Sequence, residues 1–355
     1  MHLRVVLRIP DGDTLVRDTL DGRWADPWGV PDESTPSDAW ALPGLVDAHA
    51  HLARPTMDFQ PGDVEETGAR ARRALEAGVG MILDKGWVDL TVLRMADQVP
   101  VDERPDIEAA GVILAVEGGY WAGFGRDVAP GRIVDEVARA AREGRGWVKL
   151  IGDWPRKGIG PVVNFNQAEL AQAVAVARAN GARVAVHTMA REVPAMAVEA
   201  GADSIEHGLF LSSRDLEVLG ERGGSWVPTV IQMEAVIEQL GERSSGGRLL
   251  TEGLDNVAAN LKTAVDAGVH VLTGTDLAIM THEVAREAVR LWELGMAPSA
   301  VVDAISWSGY RASGRDAAFE VGEPANAVLF GEDPTVDPGV LAHPSRVIRM
   351  GRLVR

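Results

Sequence analysis

The chain has 355 residues, 46% hydrophobic and 25% charged, with 52 Asp and Glu against 35 Lys and Arg, a net charge of −17. That is a globular composition, which excludes a disordered, collagen-like or coiled-coil chain. The acidity argues against nucleic acid or anionic membrane as partners, since phosphate binding needs a positive field, and it suits a small-molecule substrate. Cysteine is absent, so disulfides, thiolate metal sites and cysteine nucleophiles are excluded.

The opening MHLRVVLRIPDGD carries charges inside its apolar run and no A-x-A-like cleavage site, so no secretory leader is expected. No uninterrupted apolar stretch of about 18 residues follows, so no membrane span is expected. The cytoplasm is the expected compartment. Residues 1–42 read as short strands with turn signals, 4–8 among them.

From residue 44 the chain alternates β-rich apolar runs with Ala-, Glu- and Arg-rich segments of helical period. The runs are 44–51, 79–85, 107–114, 147–152, 183–187, 204–207, 225–229 and 270–276. Helices are predicted over 64–76, 131–143, 167–180, 192–199, 214–222, 254–267 and 282–294, most closing on a glycine. Residues 242–247 (ERSSGG) read as a mobile loop after the seventh run. Eight βα units predict an α/β fold of (β/α)8 TIM-barrel type over residues 43–321. An open doubly wound sheet would normally carry a Gly-rich turn after its first strand; here that strand ends in His-Ala-His. The strands at both ends, residues 1–42 and 322–355, are expected to pair into a small β-sandwich domain beside the barrel.

Strand C-termini converge on the active-site face of such a barrel. His49 and His51 are two apart on the first run and can face one cavity and share a metal. His187 ends the fifth run and His207 the sixth. Asp276 ends the eighth, which neighbours the first in a closed barrel. Each alone has a bland reading: a polar strand end, a satisfied core histidine, a helix N-cap. Together they point to a metal. Lys149 lies in the apolar fourth run, where a charge is costly unless paired or neutralised. Carboxylated by CO2 on its ε-nitrogen, it becomes an anion able to bridge two cations. Nitrogen and oxygen donors without thiolate suit Zn2+, and also Mn2+, Fe2+ or Co2+. Two such divalent ions can ionise a shared water and polarise a carbonyl, with Asp276 taking the proton.

The motifs PGLVDAHAHL (43–52), VKL around Lys149, VAVH ending at His187, AGADSIEHG (200–208), TGTD ending at Asp276 and VGEPANAVLFGEDPTVDP (321–338) resemble the amidohydrolase superfamily, in order, from about residue 40 to the C-terminus. The fifth-to-sixth-run region is similar to its imidazolonepropionase-like and prolidase-like branch. The resemblance implies that His49, His51 and Asp276 bind one metal and that His187 and His207 bind a second. It also implies that Lys149, as carbamate, bridges them. The expected function is then a binuclear metal-dependent hydrolase of an amide-type C–N bond in a dipeptide, an N-acyl amino acid or a cyclic amide. The alternatives are a mononuclear deaminase with Lys149 structural, a lactonase or phosphotriesterase using the same ligands, and a non-catalytic barrel. The resemblance also places a substrate-binding histidine near His282. Many relatives have a second histidine two positions after the one matching His187, and here that position is Met189.

Tyr120 and Trp121, after the third run, are candidates to line the substrate pocket. Lys85 is a candidate for a substrate carboxylate, or a strand end paired with Asp84. Trp154 is a candidate lid over the metals. Arg156 and Lys157 would suit an anionic substrate. Assembly into homo-oligomers is expected, in a number the sequence does not set.

Overall fold

The computed structural model describes residues 3–10, 12, 14–28, 39–53 and 62–355. The apolar runs form parallel strands, each beside the next in chain order. Leu45–Ala50 pairs with Val79–Asp84, and that strand with Asp106–Ala109. Trp147–Ile151 pairs with Arg183–Thr188, followed by Ser204–His207, Ser225–Val227 and His270–Val271.

The third run is broken. Asp106–Ala109 belongs to the sheet of the first two runs, whereas Ile113–Val116 pairs with the fourth. Gly111, at φ +70°, makes the offset that glycine alone adopts cheaply, and a parallel bridge from Ala109 to Gly146 ties the two sheets. At their other margin Asp276 bridges Ala50, Ala48 N–H donates to Thr273 O (2.8 Å) and Asp276 N–H donates to His49 O (2.7 Å). The eighth run is therefore mostly irregular, yet it lies along the first.

Most helices fall where periodicity places them. Val64–Glu76 matches to the residue, and Gln167–Ala179 opens on a reciprocal Asn166–Glu169 capping box. The stretch 242–247 differs from the mobile loop expected there. Ser244 Oγ accepts from Gly247 N–H (2.9 Å), and the helix Ser245–Asp266 starts on that cap, so both glycines sit in its first turn. A helix over Val230–Leu240 was not foreseen. Its first two N–H groups, Val230 and Ile231, donate to the buried Glu287 carboxylate at 2.6 and 3.1 Å. Its N-terminus is thus capped from 57 residues away.

The strands at the two ends of the chain form one seven-stranded sheet. Ala39–Leu42 is central, between Ala327–Phe330 and Arg4–Arg8. Along Ala327–Phe330 the faces alternate. Ala327 and Leu329 join a small core with Val5, Leu7 and Trp24, whereas Val328 and Phe330 join the main core. Among the described residues no helix is long and apolar enough to cross a membrane.

Candidate active site

Alternate residues of the parallel strands share one face. Met81, Leu83, Trp147, Ala185, Val227 and Leu272 form an inner apolar cluster, and the same face carries Lys85, Lys149 and His187 at the strand ends. Two strands reach the site by breaking this period. In the first run Val46 and Ala48 belong to the inner cluster, which would make Ala50 the next inward residue. The pairing shifts between Asp47 and Ala50, and His49 and His51 line the cavity instead. In the sixth, Glu206 follows the inward period, and His207 should face outward. His207 has φ +63°, a left-handed backbone that brings it into the cavity as well. Thr229 and Asp276, at φ +48° and +49°, are also left-handed. Strain of this kind costs about 1–3 kcal/mol per residue and is held by the surrounding structure.

His49, His51, Lys149, His187, His207 and Asp276 are all buried and all line one cavity. Ligand atoms of His49, His51 and Asp276 lie within 4.8 Å of one another. Asp276 Oδ1 is 3.5 Å from His51 Nε2 and 4.0 Å from His49 Nε2, and its Oδ2 is 4.0 Å from His207 Nε2. His187 Nδ1 and His207 Nε2 are 2.9 Å apart. Lys149 Nζ is 3.5 Å from His49 Nε2.

A ring of acceptors orients the imidazoles. His51 Nδ1 faces Gly86 O at 2.7 Å, His207 Nδ1 faces Thr229 Oγ1 at 2.6 Å, and His49 Nδ1 faces Glu206 Oε2 at 2.5 Å. Each contact leaves Nε2 free to point inward, as metal-ligating histidines require. Asp47 accepts from Thr275 N–H and Oγ1–H (3.1 and 2.6 Å), tying the first run to the segment that carries Asp276.

Burial dominates the electrostatics. It pushes the His49, His187 and His207 imidazoles well below their usual range, and neighbouring positive groups add to this. His51 falls to about 4 for the same reason. All four rings are therefore neutral near pH 7, the form that binds metal. Burial lowers Lys149 to about 8 and raises Asp276 to about 7. Glu206 moves the other way: burial alone would raise it, but Lys85 and Lys149 hold it below the usual carboxylate range.

The residues fit a divalent metal. His187 Nε2 is buried without a hydrogen-bond partner among the described residues. The neutral imidazoles and single carboxylate are a nitrogen and oxygen donor set suited to a zinc-class ion.

Tyr120, Trp121, Trp154 and Arg156 line the cavity. Trp154 meets Tyr120 edge-on at 4.6 Å and lies 5.5 Å from the His187 ring. His282 is not among the lining residues. It stands in the short helix Thr281–Glu283. Lys85 is likewise not a carboxylate receptor at the mouth. It is buried, 3.2 Å from Glu206 Oε1 rather than paired with Asp84, and stacks on the Trp147 ring at 4.5 Å. Asp84 instead accepts from Leu52 N–H and Gly86 N–H at 2.7 and 2.8 Å. Sequence reasoning missed Glu206, Thr229 and Gln232. A glutamate inside an apolar parallel strand was the available signal for the first; Thr229 ends the VPT stretch of the seventh run, and Gln232, which lines the cavity, opens the segment after that run.

Fold and site together define an α/β protein with a buried nitrogen and oxygen donor set suited to a divalent metal. The chain belongs to the amidohydrolase family, whose model matches residues 40–354. It is 32% identical over 363 residues to an uncharacterized protein of Mycobacterium tuberculosis (strain ATCC 25618 / H37Rv), covering 99% of this chain and 95% of that one. Among solved structures it is similar to a Xaa-Pro dipeptidase with bound methionine in the active site (TM-score 0.80, 21% identity, 99% of both chains). It is also similar to phenylurea hydrolase B (TM-score 0.76, 20% identity, 99% of this chain and 96% of that one).

Proposed function

We propose that this chain hydrolyses an amide-type C–N bond with two divalent metals, zinc first among them. His49, His51 and Asp276 would hold one, His187 and His207 the other, and Lys149 as carbamate would bridge them. The observation that carries the binuclear reading is Lys149. Its amine is buried, no carboxylate lies within 4.0 Å of it among the described residues, and its nearest polar contact is a neutral imidazole. A buried amine with no anion at ion-pair distance is costly as a cation. As the neutral amine it can attack CO2: the N–C bond forms, one proton leaves to solvent, and the anionic product supplies a bridging donor. Members of the family in general use divalent metals, which supply Lewis acidity and ionised water at neutral pH.

The chain's own part follows from the geometry. His49, His51 and His207 would ligate through the nitrogens their acceptor partners leave free, and His187 through its unpartnered Nε2. Asp276 takes the proton of the attacking water at Oδ and delivers it to the leaving nitrogen. The same reading takes the strands as a (β/α)8 barrel of residues 43–321, with a β-sandwich of residues 1–42 and 322–355. The amide class draws support from the two solved relatives, one named a dipeptidase and the other a phenylurea hydrolase.

The test is turnover by chain stripped of metal and reloaded with zinc and bicarbonate. Dipeptides, N-acyl amino acids, cyclic amides, lactones, a phosphotriester and aminated heterocycles form the panel. Amide hydrolysis that falls at least a hundredfold without metal is the expected result. Turnover confined to the aminated heterocycles would replace this reading with a deaminase.

A further inference from the structure

The cavity over the nitrogen cluster is large for a small amide. It measures about 1050 Å3, at the top of the range for sites enclosing drug-sized ligands, roughly 300–1,000 Å3. One wall is a hairpin that leaves the end of the fourth strand, Asp153–Arg156 paired with Gly160–Val163. It contributes Trp154 and Ile159. Tyr120 and Trp121 pack against Trp154 at 4.6 and 4.8 Å between ring centroids. Another wall comes from the helices Val230–Leu240 and Ser245–Asp266, with Met233, Leu240 and Leu249. Ile159 is 76% exposed and Leu240 50% exposed. Two large apolar side chains on different walls of one mouth would lose water contact if a substrate arm lay between them.

The mouth also carries a charge. Among the described lining residues the charged groups are Lys149 and Asp276, both buried with the histidines, and Arg156. Arg156 is two residues beyond Trp154 on one hairpin strand, so both project to the same side, about 6.6 Å apart along the strand. Trp154 lies beside His187, and Arg156 stands one step further toward solvent. Its guanidinium has no ion pair among the described residues, although the protein carries a net charge of −17.

Resting on the hydrolase reading above, we propose that the substrate is an N-acyl amino acid with a large apolar arm, aromatic or long-chain. The arm lies between the hairpin and the two helices, the free carboxylate meets Arg156, and the amide lies over the histidine cluster. Hydrolysis breaks the amide C–N bond and joins the water oxygen to the acyl carbon. The leaving nitrogen takes a proton, and the products are a carboxylate and a free amino acid.

The metal-loaded full chain is given N-acetyl, N-octanoyl, N-dodecanoyl and N-naphthoyl alanine, and the uncharged alaninol analogue of each. Each buried methylene is worth roughly fourfold, so kcat/KM should rise at least a hundredfold from acetyl to dodecanoyl. Each alanine substrate should exceed its alaninol analogue about tenfold. The double variant Ile159→Ser, Leu240→Ser should cut the long-over-short ratio at least tenfold, and Arg156→Ala should bring the alanine-over-alaninol ratio toward one. Equal rates for acetyl and dodecanoyl chains, or for alanine and alaninol, would overturn the proposal. Binding is read separately, by tryptophan fluorescence with N-naphthylsulfonyl alanine, which the enzyme cannot hydrolyse as an amide. Tight, Arg156-dependent binding without turnover of any amide would sustain this inference and sink the hydrolase reading. Turnover of short amides without chain-length preference would do the reverse.

Discussion

At the residue scale the site is a set of neutral imidazoles held by buried acceptors, and Glu206 is its least expected member. It was hidden because period-two alternation puts Glu206 and His207 on opposite faces; the left-handed backbone at His207 puts both inside. Glu206 receives Ser204 Oγ–H at 2.5 Å, pairs with Lys85 at 3.2 Å and orients His49. Glu206→Gln should weaken metal binding about 10–100-fold, the usual cost of losing a partner behind a ligand. It should also leave the Lys85 cation buried and unpaired, at a cost of order 3–5 kcal/mol. Adding Lys85→Met should restore thermal stability but not metal affinity, as measured by unfolding and by competition with a chelator. Full recovery of both would show that Glu206 matters only as a counter-ion. Lys149→Ala should lose metal and turnover together, with partial rescue by short carboxylic acids that occupy the place of the carbamate. Full activity in that variant would remove the carbamate. Asp276→Asn should keep much of its metal and lose turnover, and near-normal kcat would remove its proton role.

At the element scale the legible parts were those whose signals are local. The helix Val64–Glu76 declared itself through its apolar period and the glycine that follows it, and the His-x-His of the first run through its spacing. What stayed hidden depended on distant partners. The helix Val230–Leu240 owes its cap to Glu287, far along the chain, and the hairpin of residues 153–163 follows the strand too closely to separate from it. His282 was drawn toward the site by resemblance, and it is not among the residues that line the cavity. Burial raises Glu287 to about 8, although two N–H donors favour its charge. A carboxyl raised in this way binds its proton more tightly folded than unfolded. Its ionisation therefore lowers stability as pH rises from its ordinary value, about 4.3, toward 8. Glu287→Gln should lower Tm at pH 5, where one acceptor is lost, and should flatten the fall in Tm between pH 5 and 8. A wild-type slope retained in the variant would assign that fall to the other buried carboxylates raised by burial, Asp47, Asp84, Asp153 and Asp276.

At the scale of the whole molecule, the ends of the first, fourth, fifth, sixth and eighth runs bring His49, His51, Lys149, His187, His207 and Asp276 to one cavity, and the sheet built from both chain ends packs its Val328 and Phe330 face onto the main core. The order of the runs was readable because each βα unit carries its own period. The break in the third run was not, since its two halves read as one apolar stretch and only pairing to different neighbours separates them. The central claim is that these strand ends together hold two metals bridged by Lys149. The measurement that tests it most directly is metal content per chain by elemental analysis, on protein produced with zinc and bicarbonate. About two metals per chain, falling sharply in Lys149→Ala, is the result this account requires. About one metal, unchanged in that variant, would contradict it.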